Sequence, residues 1–177
     1  MSTRKTKPAN KAPQKRASAK KSPATQKKAA LPAFEGSVTH LVHRAEQCAG
    51  DIFTRIAPTG MITPRQFAIL EAIEENPGIS QTGLVDKTGI DRSTLADIVR
   101  RMLDKGLVQR ERTAEDARAY AVKLTRKGTN TLKKMRPHAE EADRQMLAAI
   151  PKEHRDMFLS VLSQMVETLS KRDEPAK

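Results

Sequence analysis

At 177 residues, with a single cysteine and no apolar run near the roughly 18 residues of a membrane span, the chain excludes an intrachain disulfide framework and a membrane-crossing helix. Its formal net charge of +12 is unevenly placed: residues 1–30 hold ten of the 33 Lys and Arg and no Asp or Glu, so the remainder is close to neutral. There is no Gly-rich phosphate loop, metal-spaced ligand cluster or nucleophile–base motif, which argues against an enzyme and against a resident cofactor or metal.

Residues 1–33 are Lys, Ala, Pro, Ser and Thr with almost no large apolar side chain. Such a segment cannot bury enough surface to offset chain entropy, so it reads as a disordered basic tail. A cationic block of this kind suits polyanions, above all nucleic acid. It lacks the apolar stretch of a secretory signal, and with one cysteine in the chain this points to the cytoplasm.

Residues 34–177 read as one mainly α domain with a small β-hairpin. From Ser37, the positions Val38, Leu41, Val42, Ala45, Cys48, Ala49, Ile52, Phe53 and Ile56 keep helical spacing until Pro58-Thr59-Gly60. This spacing predicts a buried, inert thiol at Cys48. Thr63, Pro64 and Gln66 then form a capping-box signature for a helix carrying Phe67, Ile69, Leu70 and Ile73, closed by Asn76-Pro77-Gly78.

Ser80 caps a short helix through about Lys87, Gly89 supplies a tight turn, and Asp91 caps the next helix. That helix, "RSTLADIVRRML", carries Leu95, Ile98, Val99, Met102 and Leu103 on one face and arginines elsewhere. Helix, short Gly-containing turn, helix is the plan of a helix-turn-helix. Gly106 ends it, and residues 107–124 read as a two-stranded hairpin around "AEDAR". Long helices follow, one from about Arg126 to Ile150 and one opened by Pro151 with a near-heptad stripe of Phe158, Val161, Leu162, Met165 and Leu169. Their apolar faces exceed what the short helices can cover, which predicts a homodimer built from residues 36–57 and 126–172 beside a DNA-binding lobe at 63–125.

This order of parts, with "GIDRSTLADIVRRMLDKGLV" and "DARAYAVKLTRKG", resembles the MarR family of winged helix-turn-helix transcription regulators over about residues 36–172. The Asp-x-Arg of the hairpin followed by Leu-Thr-x-x-Gly carries the resemblance most specifically. It implies a dimer with long terminal dimerisation helices that binds a pseudo-palindromic operator in double-stranded DNA, usually as a repressor released by a small molecule. "TPRQFAILEAI" with "EDARAYAVKLT" also looks like the branch governing aromatic-acid catabolism. That likeness implies an aromatic acid or its CoA thioester, such as p-coumaroyl-CoA, as effector.

An α-helix fits the major groove, where Arg bonds guanine and Ser or Thr serves either base type. The expected DNA contacts are therefore Arg92, Ser93, Thr94 and Asp97, with Arg100 nearer phosphate and Gln81 and Thr82 at the backbone. Asp97 either accepts from cytosine N4 or holds Arg100 or Arg101. Arg118, oriented by Asp116, suits a narrow minor groove from the hairpin tip. For the effector, Arg44 or Arg65 suits a carboxylate or phosphate, His40 and His43 a phenol, and Phe67 lies beside Arg65; the histidines equally suit a dimer interface. Read as metal ligands, His40, His43 and Cys48 lack a fourth partner. Competing readings are redox sensing through Cys48 and a histone-like architectural DNA binder working through the tail.

Overall fold

The computed structural model describes residues 34–112 and 120–170. The basic tail, the hairpin tip with Asp116 and Arg118, and the last seven residues lie outside the described residues. After a 3-10 turn at Phe34–Gly36 come α1 (Val38–Ile56), α2 (Pro64–Glu75), α3 (Gln81–Thr88) and α4 (Arg92–Asp104). The hairpin strands are β1 (Val108–Arg112) and β2 (Tyr120–Leu124), and α5 (Arg126–Ala148) and α6 (Arg155–Ser170) close the chain.

Helices α2, α3, α4 and α5 begin where a side chain, of Thr63, Ser80, Asp91 and Thr125 in turn, accepts from one of the first backbone N–H groups. At α2 the box is complete: the Gln66 N–H donates to Thr63 Oγ1 at 3.3 Å, and the Thr63 N–H donates to Gln66 Oε1 at 3.1 Å. Ser80 Oγ accepts from the Gly83 N–H at 3.0 Å at the start of α3. Helix α4 ends in a Schellman arrangement: the Leu107 N–H reaches the Met102 carbonyl and the Gly106 N–H that of Leu103, with Gly106 at φ 64°. Leu107 and Met102 are both buried, so this stop also fills the core.

The core gathers Ile69, Leu70, Leu84, Leu95, Val99 and Met102 from α2, α3 and α4, with Leu107, Val108 and Val122 from the hairpin and Leu132 and Met135 from α5. The antiparallel strands pair Val108 with Leu124, Arg110 with Val122 and Arg112 with Tyr120. Ser80 forms a single bridge to Ala121, and the Val122 N–H donates to the Ile79 carbonyl at 2.9 Å. The hairpin is thereby tied to the entrance of α3.

Two expectations change. Cys48 is exposed rather than buried, and so are Val38, Leu41 and Val42. The first half of α1 runs beyond the chain's own core, and only its later residues Ile52, Phe53 and Ile56 meet it. Periodicity there marked an apolar face without saying what covers it. The last helix also starts later: Pro151 precedes a 3-10 turn at Lys152–His154, and α6 begins at Arg155, whose Nε donates to the Ile150 carbonyl. No α6 residue is buried, and Met157, Phe158, Leu159, Val161, Leu162, Val166 and Leu169 are all exposed.

Candidate nucleic-acid interface and adjoining cavity

The α3–α4 unit positions the predicted DNA contacts. Gly89, at φ 65°, turns the chain between the helices. Asp91 Oδ1 then accepts from the Thr94 N–H at 2.9 Å and the Ser93 hydroxyl at 2.7 Å. The Thr94 hydroxyl and N–H, with help from Ser93, hold the Asp91 carboxyl well below the usual carboxylate range. The Ser93 hydroxyl is thus committed to the cap, leaving its oxygen as an acceptor.

Arg92 stands exposed on the first turn of α4. It shares a shallow depression of about 250 Å³ with Gln81, Thr82, Val85, Leu95 and Ala96, so three of the expected contacts come together between the starts of α3 and α4. Asp97 and Arg100 form an exposed ion pair at 3.3 Å, the second of the two roles open to Asp97. Sequence reasoning passed over Arg110, an exposed strand residue whose Nη2 donates to Gln81 Oε1 at 3.1 Å.

Behind α4 lies a larger cavity of about 1050 Å³ between α1, α2, the α3–α4 turn, α4 and α5. Phe53 and Phe67 meet there with ring centroids 5.7 Å apart. Arg65 and Glu46 form an ion pair at 3.4 Å from α2 to α1, both more than half exposed. The wall toward α4 is made by Asp91, Thr94, Ile98 and Arg101, and the opposite wall includes Ala139, Asp143 and Met146 of α5.

Of the effector residues expected from sequence, Arg65 and Phe67 line this cavity. His40, His43 and Arg44 do not; they occupy the first half of α1, where His40 packs against Phe34 with centroids 4.3 Å apart. Phe53, Arg101, Asp143 and Met146 were not singled out as cavity residues, because they converge from three different helices. Arg101 is in no ion pair with another described residue, which leaves a cation of α4 lining the cavity.

Residues 62–119 match the family model described as MarR family. The chain is 33% identical over 107 residues to the transcriptional regulator HosA of Escherichia coli, covering 60% of this chain and 79% of HosA. Among solved structures it is similar to BpsR of Bordetella bronchiseptica, whose DNA binding is regulated by 6-hydroxynicotinic acid. That likeness has a TM-score of 0.70 and 27% identity over 75% of this chain and 95% of BpsR. The transcriptional repressor CouR, bound to a 23-mer DNA duplex, is similar with a TM-score of 0.67 and 26% identity over 75% of this chain and 94% of that one.

Proposed function

Because this chain belongs to the MarR family of transcription regulators, we propose that it is a dimeric repressor released from its operator by an aromatic acid or the CoA thioester of one. The observation that carries this reading is the shared wall of the cavity: Asp91 and Thr94, which cap the DNA-reading helix, face the same space as Phe53, Phe67 and Arg65. A planar ring packs against the Phe53–Phe67 pair, and its carboxylate or thioester oxygen takes Arg101, or Arg65 once that residue leaves Glu46. BpsR, which responds to an aromatic acid, supports that ligand class.

The exposed apolar residues of α6 and the first half of α1 supply the second copy's seat, since so many large apolar side chains left exposed along two helices are unusual on a monomer. Such a dimer presents two α4 helices to successive major grooves about 34–36 Å apart. Arg92 and the oxygens of Ser93 and Thr94 then read bases, Arg100, Gln81 and Thr82 meet the backbone, and Arg118 with Asp116 serves the minor groove. A ligand that prefers another spacing lowers DNA affinity by its differential binding to the two arrangements. Among the described residues no helix is long and apolar enough to cross a membrane, and we place the regulator with its DNA in the cytoplasm.

The test is a DNA-binding titration on the region upstream of the protein's own gene, with p-coumaroyl-CoA, free p-coumarate and 6-hydroxynicotinate added in turn. Release by one of them, weakened in Arg65→Gln, is the expected result. Specific binding that none disturbs would overturn the proposed ligand class. Exposure of Cys48 favours one second reading, a redox response, and release by peroxide alone that is absent in Cys48→Ser would establish it.

A further inference from the structure

Along β1, residues two apart share a face of the sheet, so Val108, Arg110 and Arg112 point the same way as their cross-strand partners Leu124, Val122 and Tyr120. Val108 and Val122 on that face are buried. Arg110 stands where the apolar face gives out and the entrance of α3 begins. Its Nη2 reaches Gln81 Oε1, 29 residues earlier in the chain. The bridge from Ser80 to Ala121 fixes the same two segments through their backbones, so the side-chain contact is made between parts already held together.

The identity of the acceptor matters. Arg65, Arg100, Arg136 and Arg144 each face a carboxylate in the described structure. Arg110 is held by a neutral amide oxygen and by no carboxylate among the described residues. Its charge is therefore uncompensated locally, and a guanidinium has five N–H donors in a fixed fork, most of which remain for another acceptor. Gln81 itself shares the depression with Thr82 and Arg92.

We infer that Arg110 is a DNA-backbone contact: anchored on Gln81, it presents its guanidinium to a phosphate between the groove segment met by α3 and α4 and the segment met by the hairpin. This rests on the reading that the α3–α4 face meets DNA. Gln81 is then a positioning residue as well as a polar neighbour of the backbone. A single arginine joins the helix pair to the hairpin through the DNA itself.

The experiment measures binding of the full chain, as Arg110→Gln, Gln81→Ala and Arg92→Ala, to the upstream region and to a duplex of unrelated sequence across a salt series. Loss of one phosphate contact lowers the slope of log affinity against log salt by about 0.9, so the affinity ratio between 50 and 200 mM salt shrinks by about 3.5-fold. Arg110→Gln is expected to weaken both duplexes alike with that slope change, and Gln81→Ala to weaken them less. Weakened binding with an unchanged slope would overturn the proposal and leave Arg110 as a structural brace. If Arg92→Ala loses selective binding while Arg110→Gln is silent, this inference alone fails; if both are silent, the DNA-facing reading of α3 and α4 fails with it. Thermal unfolding of Arg110→Gln separates contact from folding, since loss of a single exposed hydrogen bond leaves the midpoint near that of the parent.

Discussion

A side chain at Gly128 has nowhere to go. A Cβ built there stands 2.0 Å from the Leu107 carbonyl oxygen and 3.1 Å from its carbon, and neither backbone atom can rotate aside. The approach is this close because Thr125 ties three segments together. Its hydroxyl lies 2.7 Å from the Gly106 carbonyl as donor and accepts from the Gly128 N–H at 3.0 Å, while its N–H reaches the Leu107 carbonyl. The Leu-Thr-x-x-Gly stretch is thus a junction where the end of α4, the base of the hairpin and the start of α5 touch. Gly128→Ala should cost about 1–3 kcal/mol in urea unfolding, as other overpacked sites do. Gly50→Ala, with nothing within 4 Å of its Cβ, should instead be neutral or add up to about 1 kcal/mol. Equal effects at the two glycines would contradict this account.

Between elements, one charged cluster couples α2 to the long helix α5. Arg136 of α5 donates through Nε and Nη2 to Glu71 at 2.9 and 3.2 Å and through Nη2 to Glu74, both on α2. All three side chains are partly exposed, so the cluster contributes modestly. Arg136→Met leaves two carboxylates three residues apart on α2 without their shared cation, and should lower the unfolding midpoint by a small but measurable amount. Replacing Glu71 and Glu74 by Gln in the same chain should restore most of that loss. A double-mutant cycle by thermal unfolding checks it, and simple additivity would mean that the pairs contribute nothing.

The same scale explains what the sequence made legible. Thr63 with Gln66, Ser80, Asp91 and Gly106 announce their helix ends through neighbours within a few residues, and the structure places caps and stops at each. Cys48 and the stripe on α6 were legible only as apolar periodicity, which is blind to whether the covering surface belongs to the same chain. The cavity was half visible: Phe67 and Arg65 open a helix that the capping box located, whereas Phe53, Arg101 and Met146 meet them only through tertiary packing. Arg110 was hidden for a related reason, since strand alternation gives its face but not an acceptor 29 residues away.

For the whole molecule the decisive quantity is where the charge sits. Ten cations and no anions fall within residues 1–30, while the remaining chain is nearly balanced. On the proposed reading a nearly neutral lobe selects DNA through placed contacts such as Arg92, whereas a block of lysines gains affinity from counterion release on any duplex. Removing residues 1–33 should therefore weaken binding to the upstream region and to unrelated duplexes by the same factor. The salt slope should fall by about 0.9 for each lysine or arginine that had met a phosphate. The affinity ratio between the two duplexes should stay unchanged, because neither charge nor chain length in the segment reads bases. A truncated chain that still binds but has lost its preference for the upstream region would reverse this division of labour. Binding of the full chain to both duplexes equally would favour the architectural reading, with the long helices outside the lobe serving only to pair two tails.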